Sequence, residues 1–208
     1  FANPDNPMGT YWAGAKIIQA LEDVPEGCLF ILDEAYSEFA PASSLPKIEI
    51  TDVRVVRLRT FSKAYGMAGA RVGYAMAEEN LIKSFEKIRN HFGMNRSAQK
   101  AAFEALSDNQ WLSEMVQKVE NGRQRIYKIA AENNLKSITS ATNFVAIDCG
   151  KDSNFAKKVL KELISLGIFV RMPFVSPQDR CVRVSVGKKR DLDRFEKALP
   201  RALARASK

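Results

Sequence analysis

Arg59-Thr60-Phe61-Ser62-Lys63-Ala64-Tyr65-Gly66-Met67-Ala68-Gly69-Ala70-Arg71-Val72-Gly73 is the stretch from which the fold can be read. The alternating run Val53-Arg54-Val55-Val56-Arg57-Leu58 leads into it and predicts a strand. That strand delivers two hydroxyls, Thr60 and Ser62, and then Lys63, to a glycine-rich turn. Arg71 follows eight residues after the lysine. Small and apolar neighbours strip hydration from an ammonium and favour the neutral, nucleophilic amine, which a Schiff-base lysine requires. Glycines at 66, 69 and 73 let the backbone curl close to a ligand, and Arg71 with Thr60 and Ser62 could hold a phosphate. A surface lysine in a Gly-rich loop is the plainer reading, and the flanking residues decide between the two.

Upstream, the continuous apolar run Cys28-Leu29-Phe30-Ile31-Leu32 predicts a strand buried on both faces of a parallel sheet. It ends in Asp33-Glu34-Ala35-Tyr36, and the carboxyl end of such a strand is where α/β sheets bind ligands. A lone Asp there is equally well a turn cap. Further upstream, Asn3-Pro4-Asp5-Asn6-Pro7-Met8-Gly9-Thr10 predicts a tight turn, with Thr10 capping a helix from Tyr11 to about Asp23. Downstream, Val72 to Ala77 predicts a strand, and Glu79 to His91 an amphipathic helix with Leu81, Ile82, Phe85 and Ile88 on its apolar face.

Arg96 to Leu106 and Trp111 to Asn133 predict two helices, and a domain boundary is placed at 97/98. Residues 1–97 then form part of a large ligand-binding domain, and residues 98–208 form connecting helices and a small domain. The small domain is predicted as α+β: strand 143–148, helix 153–166, short strand 168–171, strand 181–186 and a last helix from about Leu192. In Cys181-Val182-Arg183-Val184-Ser185-Val186-Gly187, Arg183 shares a strand face with Cys181 and Ser185. An arginine among strand valines calls for an anion, either within the protein or on a ligand.

The 208 residues are 46% hydrophobic and 27% charged, ordinary for a globular protein. No apolar run reaches the length of a membrane span and no signal peptide is visible. Three scattered cysteines, Cys28, Cys149 and Cys181, without a CxxC pair, suggest reduced core thiols and a cytoplasmic protein. The single histidine, His91, excludes a multi-histidine metal site. The net charge of +8 could attract nucleic acid, but Asp191, Asp193 and Glu196 alternate with the cations of the C-terminal stretch and suggest a solvated helix face instead. No metal, nucleic-acid partner or membrane is expected.

Three motifs in order, Asn6-Pro7-Met8-Gly9, Asp33 to Tyr36, and Ser62-Lys63 through Arg71-Val72-Gly73, resemble the fold-type I pyridoxal-phosphate aminotransferases of class I/II. The likeness is nearest to the histidinol-phosphate aminotransferase family, and Met8 stands where that family most often has threonine. The resemblance implies an α/β fold: the C-terminal part of the pyridoxal-phosphate transferase fold, with a mostly parallel sheet in the large-domain portion, plus a small α+β C-terminal domain. It also implies pyridoxal 5'-phosphate as cofactor and Lys63 as its Schiff-base residue. By the same likeness, Asp33 faces the pyridine nitrogen, Tyr36 and Asn6 the phenolic oxygen, and Thr60, Ser62 and Arg71 the phosphate. Arg183 would grip the substrate α-carboxylate, with Arg171 for a further anionic group and Asn143 near the substrate.

Glutamate is the implied donor, with an oxo acid or an oxo phosphate such as imidazole-acetol phosphate as acceptor, in a homodimer with a shared active site. The chain opens at Phe1, in mid-pattern, and a substantial N-terminal portion of the family's sequence is expected to be missing, so these residues alone should bind cofactor weakly. Two alternatives stand beside this reading. One is a decarboxylase of the same fold, of threonine-phosphate type; the other is a non-catalytic basic domain binding anions or nucleic acid.

Overall fold

The computed structural model describes all 208 residues, Phe1–Lys208. Two compact units are present, Phe1–Pro4 with Tyr11–Gln117, and Asp5–Thr10 with Lys118–Lys208. The division therefore falls at Gln117/Lys118, inside a helix, and the Asp5–Thr10 turn groups with the second unit.

In the first unit, strands β1 (Phe30–Asp33), β2 (Val55–Thr60) and β3 (Gly73–Met76) form one sheet in the order β1-β2-β3. β1 and β2 run parallel, with Phe30 opposite Val55, whereas β2 and β3 run antiparallel, with Thr60 opposite Gly73. The expectation of a mostly parallel sheet is thus corrected for these strands. The link between β2 and β3 holds only turns and a single 3-10 turn, Ala68–Ala70, with no crossover helix, and it reverses the chain. Burial on both faces of β1 is also corrected: Leu32 is fully buried, but Ile31 is 49% exposed.

Helix α1 (Gly14–Glu22) buries Ile17 and Leu21 and starts later than the Thr10 cap predicted. Ala13 occupies the N-cap without a side-chain bond. The reason is local. Asp5 N–H takes the Thr10 carbonyl at 2.8 Å, and the buried Asn3 side chain takes Trp12 N–H at 2.7 Å, which holds the segment before Gly14 out of the helix. Helix α2 (Glu79–Glu86) is capped by the Glu78 carboxylate and ends before Ile88, which is 85% exposed. Its predicted apolar face is therefore not a buried face in this chain. Helix α3 (Arg96–Ser107) begins at Asn95, whose Oδ1 accepts Ala98 N–H at 2.7 Å, and packs Ala98 and Ala102 on Phe61 and Val72.

Helix α4 (Asn109–Glu132) carries the chain onward. In the second unit, β4 (Lys136–Ser137), β5 (Phe144–Asp148) and β6 (Cys181–Ser185) form an antiparallel sheet in that order. Helices α5 (Ser153–Ser165) and α6 (Lys189–Ala206) bury Val159, Leu163, Phe195 and Leu199 in one core with Val145 and Val182. The predicted strand at 168–171 shrinks to a single bridge, Arg171 to Arg183, and β4, two residues long, left no periodic signal. The acids of α6 pair with cations as the solvated-face reading requires: Arg125 Nη2 lies 2.6 Å from Asp193 and 2.5 Å from Glu196. Cys149 and Cys181 are buried, and burial pushes their thiols up to about 12 and about 11, so both stay protonated. Cys28 is exposed, which corrects its reading as a core thiol. No helix is long and apolar enough to cross a membrane.

Candidate active site

Within the first unit the lysine turn folds back beside the ends of β1 and β2. An open cavity of about 440 Å³ results, lined by Asp33, Thr60, Ser62, Lys63 and Arg71 together with Arg59. The turn is set by its own backbone. Thr60 Oγ1 accepts Ser62 N–H at 3.0 Å, and Gly66 N–H returns to the Lys63 carbonyl at 3.0 Å. Gly66 has φ +68°, where glycine is at ease. Arg71 adopts the left-handed conformation too, φ 54° and ψ 48°, which is uncommon outside glycine and marks a position held by its surroundings. Its Nη1 donates to the Ala68 carbonyl at 2.9 Å.

Asp33 Oδ1 accepts Ala35 N–H at 2.9 Å, which fixes the carboxylate at the strand end. Lys63 is half-buried, and its Nζ lies 5.2 Å from the ring centroid of the buried Tyr36, within cation–π reach. Three cations (Arg59, Lys63, Arg71) and one carboxylate (Asp33) line the cavity, so it suits an anionic ligand. One amine, one carboxylate, two hydroxyls and two guanidiniums around one cavity fit a phosphorylated pyridine aldehyde, whose carbonyl, ring nitrogen and phosphate call for such groups.

Sequence reasoning assigned Glu34 no role and missed its actual place. Its carboxylate is 1% exposed; it accepts Arg57 Nη2 at 2.7 Å and Nε at 3.0 Å, and Arg59 Nε at 3.0 Å. The signal was present: Arg57 and Arg59 stand two apart on β2, hence on one face, next to the strand that ends at Asp33-Glu34. Arg59 thereby reaches the cavity as a held residue.

Close by on the chain, both Glu38 carboxylate oxygens are buried without a hydrogen-bond partner, and burial raises its pKa, although the Arg59 charge works the other way. A carboxyl that binds its proton more tightly folded than unfolded stabilises the fold below about pH 4.5, and that contribution is lost as pH rises through the folded-state value. Glu38→Gln, which stays neutral, is therefore expected to raise the melting temperature at pH 7 and to leave it unchanged near pH 4. Scanning calorimetry at the two values checks this.

In the second unit, Asn6, Arg171 and Arg183 line a largely apolar cavity of about 880 Å³. Arg183 Nη1 donates to Asn6 Oδ1, and the guanidinium carbon lies 4.6 Å from the Phe144 ring centroid. The backbones of Arg171 and Arg183 exchange hydrogen bonds of 2.6 and 3.1 Å, which sets the two arginines side by side. Arg171 itself is exposed. Asn143 does not line this cavity; its carbonyl accepts Val186 N–H at 2.9 Å and serves the sheet.

Strands that end at a lysine-bearing, cation-rich cavity define an α/β protein with a site suited to an anionic ligand. The chain belongs to the aminotransferase class I and II family, whose model matches residues 1–199. It is 40% identical over 200 residues to histidinol-phosphate aminotransferase of Bacillus licheniformis, covering 95% of this chain and 55% of the relative. Histidinol-phosphate aminotransferase 2 of Carboxydothermus hydrogenoformans is 41% identical over 189 residues, covering 89% and 51%. Among solved structures, histidinol-phosphate aminotransferase of Sinorhizobium meliloti in complex with pyridoxal-5'-phosphate superposes with a TM-score of 0.95 at 48% identity, covering 98% of this chain and 56% of that one. The chain thus spans about half the length of the relatives it matches.

Proposed function

We propose that the protein is a pyridoxal 5'-phosphate-dependent aminotransferase, working as a homodimer with a shared active site. The observation that carries this is the meeting of Lys63, Asp33, Thr60, Ser62 and Arg71 on one cavity in a member of this family. When bound, pyridoxal phosphate supplies the electron sink that stabilises negative charge at the substrate Cα. Lys63 Nζ is the nucleophile that anchors the cofactor. The same amine would carry the proton away from the substrate Cα. Asp33 would face the ring nitrogen of the cofactor, and Tyr36 and Asn6 its phenolic oxygen. Thr60, Ser62 and Arg71 hold the phosphate through charge-assisted bonds.

Arg183 would take the substrate α-carboxylate with its planar fork and so orient the bonds at Cα. Arg171 offers a cation to a second anionic group of the substrate. Glutamate serves as donor, and an oxo acid or an oxo phosphate such as imidazole-acetol phosphate as acceptor. The visible absorbance of the whole protein with pyridoxal phosphate, before and after glutamate, tests the reading. The expected result is a band of bound cofactor that glutamate bleaches; a band indifferent to every amino acid, or bleached with release of CO2, would overturn it.

A further inference from the structure

Two buried hydroxyls in the second unit lie behind both Asn6 and Arg183. Ser140 is 6% and Thr142 0% exposed. Ser140 Oγ donates to the Phe144 carbonyl at 2.6 Å and accepts Thr142 N–H at 3.1 Å. Thr142 Oγ1 lies 2.9 Å from Ser140 Oγ and 3.2 Å from the same Phe144 carbonyl, so its single proton serves one or the other. Thr142 Oγ1 in turn accepts Phe144 N–H at 3.3 Å. The pair thus grips both backbone groups of Phe144, whose ring lies beneath the Arg183 guanidinium.

The same pair seats the Asn6 turn. That turn is closed by Gly9 N–H to the Asp5 carbonyl at 3.1 Å, and Ala141 N–H holds the Gly9 carbonyl at 2.8 Å. Gly9 sits so close to the hydroxyls that a Cβ there would stand 2.4 Å from Ser140 Oγ and 3.3 Å from Thr142 Oγ1, at φ +83°. The seat is itself braced: Tyr127 Oη accepts Ser140 N–H at 2.8 Å, and Arg123 Nη1 donates to the Thr142 carbonyl at 3.1 Å. Buried hydroxyls are costly unless they are hydrogen-bonded, and these bond each other and the Phe144 backbone, with Gly9 packed against them.

We infer that Ser140 and Thr142 are positioning residues which, with Gly9 as the point of close approach, fix the Asn6 amide and the Arg183 guanidinium relative to each other. The proposal rests on the aminotransferase reading only for what Asn6 and Arg183 later hold. One seat then sets the contact to the cofactor oxygen and the clamp on the substrate carboxylate together, so neither can shift alone.

The test uses the cofactor-free chain, so failure of the aminotransferase reading, visible as a missing absorbance band, leaves it intact. In 15N-labelled protein the side-chain amide signals of Asn6 and the Nε–H of Arg183 are assigned with Asn6→Ala and Arg183→Lys. Thr142→Val keeps the shape but removes every hydrogen bond of the hydroxyl. It is expected to move both sets of signals and to speed water exchange at Arg183 Nε–H about tenfold, while Thr142→Ser restores them. Gly9→Ala, which changes no residue of the sheet, is expected to displace the Asn6 signals as well and gives a second variant should Thr142→Val not fold. Unmoved Asn6 and Arg183 signals in folded Thr142→Val or Gly9→Ala protein, or no rescue by serine, would overturn the inference.

Discussion

Lys63→Ala is expected to abolish the visible band of bound cofactor and to lower turnover by at least about 10⁴-fold. One side chain is both the nucleophile and the proton carrier, and acid–base catalysis alone contributes about 10²–10⁴-fold. Folding should be spared. Lys63 is half-buried at the rim of an open cavity, in a turn whose bonds come from the backbone and from Thr60, so stability should change by less than about 1 kcal/mol. Added amines rescuing proton transfer in the variant would mark the role as chemical rather than structural. Retained activity with an intact band would remove Lys63 from the mechanism.

The largest effect on stability is expected away from the reacting atoms, at Glu34. Glu34→Ala leaves Arg57 and Arg59, 18% and 22% exposed, side by side over a site their counter-ion no longer neutralises. Breaking a buried pair by removing one partner costs about 3–5 kcal/mol, because an uncompensated charge stays behind. Urea titration of the variant measures this. Arg59 would also lose its hold beside the cavity, so affinity for pyridoxal phosphate should fall as well. A loss under about 1 kcal/mol would show that the two arginines find other partners or water, and that Glu34 does not set the cavity's charge.

Lys63, Asp33 and Arg71 were legible in the sequence because their spacing reflects local geometry: a strand end, a short turn and glycines that let the chain bend. The Thr10 cap was misjudged because a non-local competitor, the Asn3 amide, takes Trp12 N–H before the helix can begin. The antiparallel β2–β3 pairing goes with a link that holds no crossover helix, but the family likeness pointed to parallel strands. Burial on both faces of β1 was read from an apolar run, and a run states which residues prefer burial, not what lies against them. The Ser140–Thr142 seat carried no periodic or motif signal. It becomes visible only when Gly9 and Phe144, far apart in sequence, are brought against it.

The central claim is that Lys63, and no other of the chain's many lysines, makes the covalent link to the cofactor. Reduction of the pyridoxal phosphate-loaded protein with borohydride, followed by proteolysis and mass spectrometry, locates that link directly. The account predicts a single modified peptide containing Lys63. Label spread over the exposed lysines of α5 and α6 with Lys63 unmodified would contradict it.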